Sequence, residues 1–170
     1  MKYLKYFWYV VRHKWYVMLA CFDRSEFQNG MYWLGVTHDW SKLRWSEYRA
    51  YTEHFYGKGK DIKSGRDETG YYKPTDTGDA DFDFAWHLHQ KRNRHHWQWW
   101  CLPEDSDGVK VLEMQPKYRL EMFCDWLGAS KAQGNGGDIA SIRAWYEKNG
   151  EKMQLHPDTR DWVEWMLGHE

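Results

Sequence analysis

Between Lys2 and Phe22 the apolar positions recur with a helical period in a segment that has neither Gly nor Pro. Tyr6, Val10, His13, Val17 and Ala20 fall on one face, so the pattern predicts a long amphipathic helix with a histidine set into its apolar stripe. Asp23 to Asn29 is polar and loop-like, and Gly30 closes it. Met31 to Asp39 predicts a short helix with Met31, Leu34 and His38 facing inward, again with a histidine where a core residue is expected. Ser46 is placed to cap a third helix running to about Phe55, with Glu47 in its first turn.

Gly57 to Asp81 breaks the periodicity with Gly57, Gly59, Gly65, Gly70, Pro74 and Gly78 among mixed charges, and predicts a long loop or flap. Phe82 to Trp100, again free of Gly and Pro, predicts a strong helix that ends before Pro103 and the acidic run Glu104 to Asp107. Pro116 opens a helix over Lys117 to Ser130, whose stripe Tyr118, Met122, Asp125, Ala129 is apolar except for Asp125. After the Gly-rich connection Gln133 to Gly137, Asp138 can cap a helix to about Lys148. His156-Pro157-Asp158 starts a last helix to Leu167, with Trp162, Trp165 and Met166 expected to be buried. No strand-like alternation is sustained, so the expected class is all-α, in a single domain over residues 1–170 with a flap at 57–81.

Composition narrows the classes of function. The formal net charge of -1 provides no global attraction to nucleic acid or anionic lipid, so neither a stable nucleic-acid complex nor a membrane association is expected. Arg12, His13 and Lys14 interrupt the first apolar stretch, which argues against a signal peptide or a transmembrane span. Cys21, Cys101 and Cys124 form no C-x-x-C pair and are odd in number, which argues against a disulfide framework and for a reducing, cytoplasmic setting. The unusual features are 13 Trp and 9 His, four of the histidines lying between His87 and His96.

Periodicity therefore places His13, His38 with Asp39, and Asp125 on the inner faces of three different helices. A buried carboxylate needs a cation, a donor cluster or a metal. One shared metal satisfies all three faces. Two His and two Asp form a nitrogen and oxygen set suited to Mn, Fe, Co, Ni, Zn or Mg, with positions left for water. Each residue also has a plainer explanation: a histidine on an apolar face is most often a hydrogen-bonded core residue, and an inward aspartate is usually salt-bridged or capping.

The order His13, His38-Asp39, Asp125 resembles the H…HD…D signature of the HD-domain superfamily of metal-dependent phosphohydrolases. The words H-K-W-Y-V (His13 to Val17), H-D-W-S-K (His38 to Lys42), A-W-H-L-H…N-R-H-H-W-Q-W-W (Ala85 to Trp100), E-M-F-C-D-W (Glu121 to Trp126) and H-P-D-T-R (His156 to Arg160) are similar to an uncharacterised family of small bacterial and phage proteins related to it. The resemblance implies an all-helical HD-like bundle in which His13, His38, Asp39 and Asp125 ligate one divalent ion. It also implies cleavage of a phosphomonoester or phosphodiester of a small nucleotide or cyclic nucleotide by a metal-activated water. The setting would be cytoplasmic, in the host if phage-encoded, and a homodimer is compatible because related HD nucleotidases often dimerise. Some members carry H-D-x-x-E, whose glutamate moves a proton. This chain has Lys42 there, nearer an H-D-x-x-K variant in which lysine steadies phosphate charge, so Asp39 and Lys42 are the catalytic candidates.

On the expected Phe82 to Trp100 helix, His89, Asn93, His96 and Trp100 share a face, with His87 and His95 offset. Three uses stay open for this cluster. It can hold a further metal with Asp39 bridging, as some HD enzymes do. It can supply donors to a substrate phosphate, with Trp97 or Trp100 stacking on a base. Or R-N-R-H-H can be a solvated basic face. The working expectation is one metal, with Lys42, His89, Asn93, His95 and His96 on the substrate. Two other functions remain: a nucleotide-sequestering protein without turnover, and a nucleic-acid-binding helical domain using Arg92, Arg94, His95 and the tryptophans, which near-neutral charge disfavours.

Overall fold

A computed structural model of the chain describes residues 1–26, 28–57 and 77–169. They form seven α-helices: α1 (Lys2–Asp23), α2 (Met31–Thr37), α3 (Trp45–Tyr56), α4 (Ala80–Arg92), α5 (Pro116–Ala132), α6 (Ile139–Asn149) and α7 (Pro157–His169). Short 3-10 turns occupy Trp40–Leu43, Trp97–Trp100 and Gly150–Lys152. Among the described residues no helix is long and apolar enough to cross a membrane.

The axis of the fold is α1, which packs against α5, α2 and α3. Its buried residues are Tyr6, Val10, His13, Val17, Ala20 and Cys21, the stripe expected from periodicity with Cys21 added. The two ends of that stripe enter different apolar clusters. Val17, Ala20 and Cys21 join Phe123, Cys124 and Leu127 of α5 and Val163, Met166 and Leu167 of α7. Tyr6 and Val10 join Ala50 and Tyr51 of α3 and Phe82 and Ala85 of α4. His13 lies between them, at the seam.

Helices α1 and α5 approach closely because α5 has Gly128 at the crossing. A Cβ there would lie 2.7 Å from the backbone nitrogen of Val17, closer than packed atoms tolerate. Val17 is one turn beyond His13 and Gly128 nearly one turn beyond Asp125, so the same close approach brings that histidine and that aspartate together.

Several expectations are corrected. The Phe82 to Trp100 helix ends at Arg92, because the Asn93 side chain donates Nδ2 to the carbonyl of His89 at 2.8 Å and takes an extended backbone. His89, Asn93, His96 and Trp100 therefore do not share a helix face. Trp100 is instead buried and donates Nε1 to the carbonyl of Arg94 at 2.8 Å, which secures the turn carrying His95 and His96. An antiparallel hairpin follows, β1 (Cys101–Pro103) with β2 (Val109–Val111), where no strand was expected. Three residues per strand are too few to show an alternation.

The third helix begins at Trp45, so Ser46 lies inside its first turn and Arg44 stands at the cap without a side-chain bond. Trp165 is 51% exposed and only Met166 of the expected group is fully buried, with Trp162 half-buried. Asp138 caps α6 as expected, in a reciprocal capping box with Ser141. Most of the flap expected at 57–81, with Tyr71 and Tyr72, lies outside the described residues; Asp79 caps α4 and Ala80 and Asp81 belong to it.

Candidate metal centre

His13 comes from α1, Asp125 from α5 and His89 from α4, while His38, Asp39 and His95 come from turns. Helix α2 stops at Thr37, so His38 is not on the helical stripe its spacing suggested. It is extended (φ -49°, ψ 131°), and Asp39 follows in the left-handed region at φ 54°. Adjacent side chains normally diverge; this bend turns both toward the seam. A left-handed non-glycine residue carries strain, of the kind that collects at functional sites. The carbonyl of His38 accepts a hydrogen bond from Lys14, whose ammonium also lies 5.2 Å from the Trp40 ring centre.

The Nε2 atoms of His13 and His38 lie 3.4 Å from Asp39 Oδ2, and 3.2 and 3.3 Å from Asp125 Oδ1. On the other side of the carboxylate, Nε2 of His89 and of His95 lie 3.3 and 3.4 Å from Asp39 Oδ1. The Nε2 atoms of His13, His38, His89, His95 and His96 are all buried and, among the described residues, make no hydrogen bond. Ligands bound at about 2.0–2.1 Å to one ion are separated by about 3.0–3.4 Å, the spacing of the His13, His38, His89 and His95 nitrogens from the Asp39 oxygens. Among the described residues three groups have candidate ligand atoms within 4.8 Å of one another: His13, His38, Asp39 and Asp125 on one side, Asp39, His89, His95 and His96 on the other, and His38 and His95 with Glu121.

The opposite edges of the imidazoles are tied down. Glu121 Oε1 accepts from His38 Nδ1 at 3.0 Å and lies 3.3 Å from His95 Nδ1. Glu47 Oε2 lies 3.0 Å from His89 Nδ1 and accepts from Ser41 Oγ at 2.7 Å, while its Oε1 accepts from Arg92 at 2.6 Å. A carboxylate on Nδ1–H fixes the tautomer and leaves Nε2 bare, the arrangement that metal-binding histidines require. Among the described residues the oxygens of Asp39, Asp125, Glu47 and Glu121 meet only Lys42 and Arg92 as permanent cations. With neutral imidazoles, two negative charges stay uncompensated, which suits a divalent ion.

The titration behaviour follows from the same crowding. Burial alone would raise the Asp39 and Asp125 carboxyls, but for Asp39 the charges of His38, Lys42 and His89, and for Asp125 the contacts with His13 and His38, hold them well below the usual range. Against burial, His95 and His38 pull Glu121 down to about 2. Burial works against protonating His38 and His95, yet Asp39 raises the first, and Glu121 with Asp39 raises the second to about 10. His89 and His96 go the other way, lowered by burial, and His96 is lowered further by the two neighbouring imidazoles.

Residues 2–169 match a family described as a family of unknown function, DUF5662. The chain belongs to DUF5662. No curated protein and no solved structure matches it.

In this DUF5662 chain the four residues expected to ligate a metal are brought to one point. The residues expected on the substrate divide. His89 and His95 are buried at the centre of the cluster, so the alternative of a solvated basic face does not hold for them, and His95 is not offset. Asn93 turns away, donating Nδ2 to Ser41 Oγ at 2.8 Å and to the His89 carbonyl behind the ring. Lys42 Nζ lies 2.5 Å from Asp39 Oδ2, with its side chain 14% exposed. Periodicity did not single out Glu121, although it precedes Asp125 by one turn of α5. Glu47 was read as a first-turn charge, and its complete burial comes from packing against α4.

Proposed function

We propose that the protein is a metal-dependent phosphohydrolase of small nucleotides or cyclic nucleotides, on an HD-type helical scaffold. One observation carries this reading: the Nε2 atoms of four imidazoles, His13, His38, His89 and His95, converge on the carboxylates of Asp39 and Asp125 at 3.2–3.4 Å, the spacing of ligands around one ion. The chain order of His13, His38-Asp39 and Asp125 supports the HD-type scaffold through the resemblance to that superfamily. A divalent ion held there supplies a Lewis acid for a phosphoryl oxygen and makes a nearby water more acidic.

The protein's own groups supply the rest. Asp39 presents one oxygen to each side of the centre and so ties the two halves together. Glu121 and Glu47 keep His38, His95 and His89 in the tautomer that leaves Nε2 free. Among the described residues Lys42 is the one ammonium in contact with these carboxylates, placed to neutralise phosphate charge once Asp39 has another partner. A cavity with His95, His96 and Asp125 in its wall gives a substrate a place beside the centre.

The test is metal content of the purified protein, then turnover of a nucleotide and cyclic-nucleotide panel with and without chelator, beside Asp39→Ala. Turnover that needs the metal and is lost in the variant supports the reading. A second reading, nucleotide sequestration, is favoured by a specific observation: Glu47 and Glu121 are both engaged with imidazole Nδ1 atoms, and Lys42 replaces the proton-moving glutamate of H-D-x-x-E. Tight binding with the nucleotide recovered intact establishes sequestration and overturns hydrolysis.

A further inference from the structure

A cavity of about 350 Å³ opens directly beside the metal centre, with His95, His96 and Asp125 in its wall. It runs along α5, where Asp125, Ala129 and Gln133 line it at successive turns. Eight residues at 1.5 Å each carry that wall about 12 Å from the carboxylate. Ser141, Ile142 and Trp145 of α6 form part of the facing side. The volume is that of a small-molecule site.

Three features of this trough specify a ligand. Its walls are aromatic: Trp86, Trp97, Trp126 and Trp145 all line it, each half-buried, and the Trp126 and Trp145 rings lie 5.5 Å apart at 56°. Indole faces stack well on planar heteroaromatic rings. Its polar groups are neutral amides and hydroxyls, among them Gln98, Ser130, Gln133, Asn135 and Ser141. The Oε1 of Gln98 is buried and, among the described residues, has no hydrogen-bond partner. A buried acceptor left unpaired is costly, and a ligand N–H relieves it. Finally, among the described residues no Lys and no Arg lines the trough, so beyond His95 a chain of phosphates along it would meet no countercharge.

We infer that the trough is a nucleoside pocket and that its ligand carries a single phosphate, held at the metal centre, with the base stacked against the trough's tryptophans and read by Gln98 and the amides beyond Ala129. The phosphate end of this inference rests on the phosphohydrolase reading; the nucleoside end does not. Away from the metal-centre end, where His95 and Asp125 stand, the described wall is neutral, so it rejects nucleoside di- and triphosphates because it desolvates charge without compensating it.

The four common nucleosides, their 5′-mono-, di- and triphosphates and ribose 5-phosphate are titrated against the protein while its tryptophan fluorescence is followed, first metal-free and then with Mn²⁺. At least one nucleoside is expected to change the fluorescence without metal. Its monophosphate is expected to bind at least tenfold more tightly than its triphosphate or ribose 5-phosphate when Mn²⁺ is present. Ala129→Phe fills the trough and is expected to weaken nucleoside binding at least tenfold with Mn²⁺ uptake unchanged. Gln98→Ala, which removes no packing volume from the helices, provides the same direction of change should Ala129→Phe fail to fold. The inference is overturned if no nucleoside binds, if ribose 5-phosphate binds as well as the monophosphate, or if the triphosphate binds equally well. Nucleoside binding without turnover of any phosphate supports the pocket and removes the hydrolase.

Discussion

Lys42 Nζ lies 2.5 Å from Asp39 Oδ2, on the same oxygen that faces His13 and His38. The ammonium therefore occupies the side of the carboxylate where a cation would be shared by four ligands. Burial would strip the proton from Lys42, but Asp39 and then Asp125 override it and push the pKa above its ordinary value. Lysine and metal compete for one oxygen.

That competition gives opposite signs for two measurements on Lys42→Met. Removing the ammonium frees Asp39, so divalent-ion affinity is expected to hold or to rise severalfold. Loss of the phosphate's countercharge is expected to lower turnover by about 100-fold or more, the usual effect of deleting one charged donor at a reacting group. Isothermal titration with Mn²⁺ and a phosphate-release assay on the same preparation read the two. Weaker metal binding in the variant would show that Lys42 organises the site and does not compete for it.

Glu121 holds the Nδ1 edges of both His38 and His95, so its removal disturbs both halves of the centre. Glu121→Gln keeps the volume but loses the charge. Metal affinity is expected to fall about 10- to 100-fold, as for other carboxylates behind histidine ligands. Circular dichroism should stay helical throughout, which separates this from unfolding. An unchanged metal affinity would mean that Glu121 only satisfies buried hydrogens.

The contribution of sequence to this picture varies with the kind of backbone involved. His13 and Asp125 were legible because both lie on regular helices, where a polar residue in an apolar stripe has a defined direction. His38 and Asp39 were legible as a pair but not in orientation, since the left-handed turn at Asp39 has no periodic signature. His95 was misplaced because Asn93 captures the carbonyl of His89 and ends the helix three residues after it starts its last turn. The carboxylates behind the rings depend on contacts between elements distant in sequence, 83 residues for His38 and Glu121, and no local pattern encodes those.

Gly128 offers a test of the frame that is independent of any ligand. An added methyl at the α1–α5 crossing meets the backbone of Val17, which cannot move aside as a side chain can. Gly128→Ala is expected to destabilise the fold by about 1–3 kcal/mol, despite the better helix propensity of alanine. Because the crossing is one turn from His13 and Asp125, metal affinity should fall with it. Denaturant melts and metal titration measure the two. A stabilised variant would show that the helices can separate without cost, and the close approach would then not set the site.

Metal binding should also be coupled to protons. In the empty site the folded pKa of His95 is about 10, above the ordinary 6.5, and that of His38 is raised as well. A raised folded value means that protonation stabilises the empty site fully below the unfolded pKa, and that this contribution is lost as pH rises through the folded pKa. The metal-free protein should therefore lose stability between about pH 6.5 and 10. A metal needs both Nε2 atoms bare, so uptake at pH 7 expels protons from His38 and His95. Affinity should then weaken as pH falls, and binding enthalpies measured in two buffers of different ionisation heat should differ in proportion to the protons released. Equal enthalpies in the two buffers would mean that no net proton is released: either both imidazoles are already neutral in the empty site, or the ion does not bind through them.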